Sequence, residues 1–205
     1  MMGAGKAVLA TVAATVLLGA VVGSASARNF SISNQFLSAT FRRVTFEGFG
    51  LRIVCEVVVS GSFHTRTTAK RVGSLVGYLT QAALGTTPEP GGCEAGRATI
   101  LRETLPWHIR YLGFAGTLPN ISRIIANIIR AAFRSSSEEV VCLGTSTEAN
   151  PTTMTFNRDI VTRVVTTGTI GGTAPTTCGF TGTFSSDAGQ IFLLNTTNRI
   201  TITLI

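Results

Sequence analysis

Alternation of apolar and polar side chains along short segments is the feature that most restricts the fold of this chain. In the segment 51–59, LRIVCEVVV, the odd-numbered residues are apolar or cysteine, and Arg52 and Glu56 lie between them. A period of two places neighbouring side chains on opposite faces of a strand, so Cys55 is predicted to be buried. The segment 178–184, CGFTGTF, alternates less regularly and places Cys178 on the same face as Phe180 and Phe184.

Similar patterns, separated by turn-forming residues, recur along the chain. Strands are predicted over 36–49 and 154–170, and 98–105 and 107–114 are candidate strands on either side of Pro106. Residues 191–194 and 199–204 are predicted to pair as a hairpin around 195–198. Glycine- and proline-rich segments such as 86–92 and 171–175 lie between the strands. The pattern predicts an all-β fold, a mostly antiparallel sandwich or barrel.

The segment 120–133, NISRIIANIIRAAF, is compatible with two structures. Its apolar residues follow the spacing of an amphipathic helix, and Asn120 is available as the N-cap. Its five isoleucines and the β-rich context favour a strand instead. One short helix near 120–133 therefore remains an alternative to a continuous β-fold.

The N-terminal segment has the composition of a secretory signal peptide. Lys6 precedes an apolar run from Ala7 to Val22, and the small residues of Ala25-Ser-Ala27 follow it. Such a sequence predicts cleavage near Ala27, which leaves one β-rich extracellular domain over 28–205. The apolar run has about 16 residues, short of the roughly 20 that span a membrane, and no later segment approaches that length. We therefore expect a secreted or cell-envelope protein without a helical membrane segment after processing.

Four cysteines predict two disulfides, because an even number of cysteines in an exported chain usually forms pairs. Three pairings are possible, and we favour Cys55–Cys93 and Cys142–Cys178. No two cysteines have the close spacing of a zinc site, so no metal site is assigned.

The net charge of +7 favours acidic partners, and nearly all of the cations are arginines. The guanidinium group binds carboxylates and phosphates with two parallel hydrogen bonds, which suggests an anionic cell-surface polymer as the partner. Arg42, Arg43, His108 and Arg110 are the candidate binding residues. Because the arginines are scattered along the sequence, no nucleic-acid partner is expected.

Catalysis has weaker support in this sequence. The chain lacks a Gly-x-Ser-x-Gly elbow, a His-Glu-x-x-His motif and a phosphate-binding glycine loop, and it contains two histidines, His64 and His108. We assign no catalytic residue and no cofactor. A small secreted hydrolase using His64 or His108 is the alternative, and an outer-membrane β-barrel is a second one.

The only tryptophan lies in the segment 103–114, ETLPWHIRYLGF. If residues 107–114 form a strand, Trp107, Ile109 and Tyr111 share one face, and His108 and Arg110 share the other. Trp107 is therefore predicted to pack in the core, with His108 and Arg110 at the surface.

Four short segments of the chain resemble uncharacterised exported proteins of high-GC bacteria. They are GSFH at 61–64, ETLPWH at 103–108, GTLPNI at 116–121 and CLGTSTEANP at 142–151. The resemblance implies an envelope or extracellular protein and no particular activity, ligand or catalytic residue.

Overall fold

The computed structural model describes residues 29–48, 50–85, 93–136 and 141–205, and the predicted signal peptide lies outside these ranges. Within them the regular structure is almost entirely β, and the one helical element is a 3-10 turn, Arg102–Thr104. The strands are β1 Asn29–Ile32, β2 Phe36–Gly48, β3 Leu51–Phe63, β4 Thr67–Ala69, β5 Leu75–Leu84, β6 Cys93–Glu94, β7 Arg97–Ile100, β8 Trp107–Thr117, β9 Asn120–Ile129, β10 Ala132–Ser136, β11 Val141–Thr145, β12 Thr152–Arg158, β13 Val165–Pro175, β14 Thr181–Ser186, β15 Gly189–Leu193 and β16 Ile202–Leu204.

The largest sheet closes on itself. Strands β2, β3, β5, β8, β9, β12 and β13 pair in this order, and every pair is antiparallel. Strands β14 and β15 pair with successive parts of β2 in the same register, with Thr183 opposite Glu47 and Gln190 opposite Thr40. Both also pair with β13, so they complete the ring as a broken eighth strand. The all-β antiparallel prediction is confirmed, and the opposite walls of this barrel pack together as the layers of a sandwich do.

The core lies inside the closed sheet, because every long strand turns one set of alternate side chains inward. The largest fully buried side chains include Phe41, Leu37, Ile53, Leu79, Ile109, Met154 and Ile191. The outward positions of β12 are Thr153, Thr155 and Asn157, which shows the polar character of that strand's outer face. Hydrophobic burial inside and hydrogen-bonding side chains outside explain the alternation in the sequence.

A small three-stranded sheet covers each end of the barrel. The upper cap consists of β7, β10 and β11, and its Phe133 ring lies 4.6 Å from Phe46 and 6.0 Å from Phe184 of the barrel wall. The lower cap consists of β1, β4 and β16, and its Phe30 ring lies 5.6 Å from Tyr111. The caps extend the core beyond the ring of long strands and exclude water from both ends.

Both predicted disulfides are present. Cys55 of β3 is joined to Cys93 of β6, and Cys142 of β11 is joined to Cys178 in the loop before β14. The first bond therefore joins the barrel to β6, the short strand that leads into the upper cap. The second bond joins the upper cap to the loop that leads into β14 of the barrel. Cys55 is buried as predicted, but Cys178 is exposed.

For residues 120–133 the preferred strand is confirmed: they form β9 and the start of β10 and no helix, because β9 pairs on both sides, with β8 and β12. Three other local predictions need correction. The candidate strand 98–105 ends at Ile100, and a 3-10 turn follows it. The segment 154–170 contains two strands joined by a turn at 159–164. Residues 191–194 and 199–204 do not pair as a hairpin, because β16 crosses to pair with β1 in the lower cap.

Trp107 is buried, as predicted, and 6% of its surface is exposed. Ile109 and Tyr111 face inward with it, whereas His108 and Arg110 are only partly buried. The indole Nε1 donates a hydrogen bond of 2.8 Å to Thr104 Oγ1, which satisfies the polar atom of an otherwise apolar side chain.

Candidate functional site: the outer wall of strands β3, β5 and β8

The four residues that the sequence suggested for binding lie in two separate places. Arg42 and Arg43 are on β2, and His108 and Arg110 are on β8, with β3 and β5 between these strands. His108 pairs with Tyr78, Tyr78 pairs with Ser62 and Ser62 pairs with Phe36, so His108 lies level with Phe36 of β2. Arg42 lies six residues further along β2. The two pairs of residues cannot contact one small ligand.

The charge of Arg43 is largely compensated. Its guanidinium lies 3.5 Å from a Glu94 carboxylate oxygen and 3.8 Å from one of Asp187. The neighbouring Arg42 is exposed and forms no ion pair with a described residue. A strong anion site at this position has no support from the geometry.

Both histidines of the chain contact the same tyrosine on the outer wall. The Tyr78 ring lies 4.8 Å from the His64 ring and 5.3 Å from the His108 ring, in edge-to-face geometry in both cases. Tyr78 and His108 are cross-strand partners, and the alternation of β5 and β8 points both outward. The three rings therefore form a row that runs from His64, directly after β3, across β5 to β8.

Arg110 lies beside this row, two residues from His108 along β8. One of its guanidinium nitrogens lies 2.7 Å from a carboxylate oxygen of Glu148. Arg110 Nε is buried without a hydrogen-bond partner among the described residues, and so is Oδ1 of Asn127, its partner on β9. An unsatisfied hydrogen-bond donor on β8 and an unsatisfied acceptor on β9 therefore lie at facing positions of this strand pair.

The environment of His108 favours its neutral form. Partial burial lowers the pKa of its imidazole below the ordinary value, and the positive charges of Arg130 and Arg110 lower the pKa further. The Glu148 carboxylate raises this pKa, and its effect is the smallest of the four. At neutral pH His108 is therefore an uncharged ring, suited to stacking and hydrogen bonding.

A groove of about 380 Å³ lies on the same wall, toward the upper cap. Ser60 of β3 and Gln81 of β5 contribute to its floor, and Arg102 and Leu105 come from the segment before β8. Thr104 Oγ1 accepts the hydrogen bond from Trp107 and donates one of 2.7 Å to Leu101 O, which holds this segment over the wall. Arg102 forms no ion pair or side-chain hydrogen bond with any described residue, so its charge is available to a ligand.

The groove and the row of rings lie on the same wall, because Gln81 lines the groove and Tyr78 lies three residues before it on β5. We call the surface formed by Arg102, Gln81, Tyr78, His108 and Arg110 the outer track. Ala83, at the groove end, and Tyr78 are five residues apart on β5, which corresponds to about 16 Å of strand. A ligand that contacts the whole outer track must therefore be extended.

The sequence did not predict the groove half of this surface. His108 and Arg110 were expected at the surface, but no sequence motif marks Arg102, Gln81 or Tyr78 as binding residues. The pairing of β3, β5 and β8 brings them together. The Pro106 that precedes β8 was the one local signal, because a proline interrupts strand pairing and indicates an irregular segment there.

Among the described residues, no hydrogen bond or ion pair connects His64 or His108 to a carboxylate or a hydroxyl. Among the same residues no three His, Cys, Asp or Glu side chains are placed to hold a metal ion. No helix formed by these residues has the length and hydrophobicity needed to cross a bilayer.

No protein-family model, curated protein or solved structure matches the chain.

Proposed function

We propose that this protein is an exported, non-enzymatic binding domain, and that the outer track binds an extended anionic polymer of the cell envelope. The observation that carries the proposal is the unpaired guanidinium of Arg102 in a groove that leads to the rings of Tyr78 and His108. A carboxylate or phosphate of the polymer binds Arg102, and the next units of the chain lie against the rings. A final acidic group reaches Arg110.

General properties of the chain support this proposal. Guanidinium groups bind oxyanions bidentately, and exposed aromatic rings offer flat apolar surfaces beside polar atoms. The formal charge is +7 for the whole sequence and +6 without Lys6 of the predicted signal peptide. This positive charge attracts a polyanion over a distance, and salt weakens the attraction. The two disulfides are typical of proteins that fold in an oxidising compartment, which supports export.

The proposal predicts that polygalacturonate and polyphosphate bind to the purified protein at low salt and that neutral dextran does not. We expect Arg102→Gln and Arg110→Gln each to weaken binding of the preferred polyanion about tenfold, because each removes a charged hydrogen-bond donor. Isothermal titration calorimetry at two salt concentrations measures this effect.

Arg42→Gln is the matched control, since it removes the same charge from an exposed arginine outside the outer track. We expect it to reduce affinity less than threefold, through long-range attraction alone. Equal losses in all three variants would show that binding depends on total charge, and the outer track would then have no special role.

Glu148 competes with any anionic ligand for Arg110, because its carboxylate already lies against the guanidinium. We expect Glu148→Gln to raise the affinity for the polyanion about three- to tenfold, since the ligand no longer displaces a bound carboxylate. Glu94→Gln is the control, because it removes an equal charge from the Arg43 ion pair. An identical gain in both variants would contradict a specific role for Arg110.

A further inference from the structure

Two adjacent turns at the lower end of the barrel carry exposed aliphatic side chains. The turn between β8 and β9 exposes 41% of Leu118, and the turn between β12 and β13 exposes 51% of Ile160 and 81% of Val161. Strands β9 and β12 pair with Arg123 opposite Asn157, so the two turns extend beyond this pair on neighbouring strands and lie side by side. We call Leu118, Ile160 and Val161 the lower tips.

The turn between β12 and β13 is held in the conformation that exposes its side chains. Oδ1 of Asp159 accepts hydrogen bonds of 2.9 Å from Val161 N and 2.6 Å from Thr162 N. Arg163 O accepts one of 3.0 Å from Ile202 N of the lower cap. Turns favour glycine, proline, asparagine, aspartate and serine, whereas β-branched aliphatic residues favour strands. Two such residues held outward in a turn therefore indicate a contact outside the chain.

Two arginines accompany the lower tips. Arg163 lies two residues after Val161, and Arg123 lies near the start of β9. Both are exposed, and neither forms an ion pair with a described residue. Asp159 is the one acidic residue in these two hairpins, and the amides of its own turn bind its carboxylate. The lower end therefore combines apolar tips with a positive charge, which is complementary to an anionic surface.

An anionic lipid bilayer has the properties that this surface requires. Aliphatic side chains at the tips of turns protrude from the molecule, so the partner must admit them into an apolar medium. A bilayer does so at the boundary between its headgroups and its acyl chains, and its phosphates lie within reach of cations beside the inserted residues. Guanidinium groups bind phosphate with two parallel hydrogen bonds.

We propose that the lower tips dock this protein onto a bilayer that contains anionic phospholipids. Ile160 and Val161 enter the boundary between headgroups and acyl chains, with Leu118 of the neighbouring turn beside them. Arg123 and Arg163 bind the lipid phosphates. This binding is independent of the outer track, because no residue of the outer track lies in either turn.

The test is sedimentation of the protein with vesicles of phosphatidylcholine mixed with phosphatidylglycerol, and with vesicles of phosphatidylcholine alone. We expect preferential binding to the mixed vesicles, weakened by salt. Val161→Ser is expected to weaken this binding about tenfold, because it removes most of the apolar surface that the bilayer covers. Arg163→Gln is expected to weaken it about fivefold, the usual effect of one cation near an anionic membrane.

Two matched controls are available outside the lower tips. Val141 is 61% exposed on β11 of the upper cap, at the opposite end of the barrel, so Val141→Ser makes the same change at a similarly exposed valine. Arg42→Gln removes an equal charge from an exposed arginine of β2. We expect each control to change vesicle affinity less than about twofold, because neither residue meets the bilayer. Equal losses in the control and the test variants would overturn the proposal.

Insertion is measured separately from adsorption. Val161→Trp adds an exposed indole to a protein whose own Trp107 is 6% exposed and gives a constant background. We expect the emission of this variant to shift to shorter wavelengths when mixed vesicles are added, and brominated acyl chains to quench it. Unchanged emission on binding would show adsorption by charge alone and overturn the proposal. Equal binding to both kinds of vesicle, or binding to neither, would overturn it as well.

Discussion

Replacing Cys142 and Cys178 together with serine is expected to lower the free energy of unfolding by about 4 kcal/mol. The bond closes a loop with a sequence separation of 36 residues, and without it the unfolded chain gains the corresponding conformational entropy. The Cys55–Cys93 bond closes a loop with a separation of 38, so its double serine variant is expected to lose a similar amount. Single domains have a total stability of about 5–15 kcal/mol, so the protein without both bonds is marginally stable at best.

The two bonds differ in their accessibility to a reductant. Cys178 lies exposed in a loop, whereas Cys55 is 1% exposed inside the barrel and its partner Cys93 is partly buried. Under native conditions we therefore expect dithiothreitol to reduce Cys142–Cys178 first. Because this bond holds β11, its reduction is expected to raise amide hydrogen exchange in the upper cap before exchange rises in the barrel.

Urea denaturation of the two double variants measures the stability change, and mass spectrometry of alkylated samples measures the order of reduction. A loss below 1 kcal/mol for either pair would contradict the expected constraint on the unfolded chain. Simultaneous reduction of both bonds would contradict the difference in accessibility.

The strands could be predicted from the sequence because each has one face in the core. In β3 the alternation predicted that Cys55 is buried, and in β8 it placed Trp107 and His108 on opposite faces. These predictions depend only on the geometry of an extended chain. They are independent of which strand lies beside which.

The helical pattern at 120–133 has a physical explanation in the structure. Ile121, Ile124, Ala126 and Ile128 are buried, and Ile129 is buried too, although it pairs with the outward-facing His108. Register shifts between β8 and β9 interrupt the strict period of two. A strand that is buried on parts of both faces loses the alternation that identifies it, and its apolar spacing then also fits a helix.

Cys178 shows another limit of the pattern. Its alternation with Phe180 and Phe184 predicted a shared inward face, but β14 begins only at Thr181 and Cys178 lies in the preceding loop. The disulfide to Cys142 fixes its position, and that partner belongs to the upper cap. A period in the sequence cannot show where a strand ends when the residues beyond it retain the same spacing.

The candidate site depends on contacts between distant segments, which a single sequence does not reveal. Arg42 and Arg43 are adjacent in the chain and suggested a basic patch, but Glu94 and Asp187 reach Arg43 through the fold. The groove requires β5 to pair with β3, and the 3-10 turn before β8 to lie over both. Arg102 therefore gained a functional interpretation only from its neighbours in space.

Replacing Arg158 with methionine is expected to lower the free energy of unfolding by about 2–4 kcal/mol. The Arg158 side chain is 6% exposed, and its Nε and Nη1 each donate a hydrogen bond of 2.7 Å, to Ile202 O and Ile121 O respectively. Methionine fills much of the space but donates no hydrogen bond, so both carbonyls lose this donor in a region with little access to water. Loss of the buried charge offsets part of this cost, because burial already lowers the pKa of the guanidinium.

The effect of this substitution should be concentrated in the lower cap. Arg158 connects the end of β12 to β16, and β16 reaches the rest of the cap through β1. We expect amide hydrogen exchange to rise in β1 and β16 more than in β3, together with the lower midpoint of urea denaturation. Arg42→Met is the control, since Arg42 is exposed on β2 and forms no ion pair with a described residue, and we expect a change within about 0.5 kcal/mol. If both variants lost the same stability, the two hydrogen bonds of Arg158 would not hold the lower cap on the barrel, and the cap would depend on its apolar contacts alone.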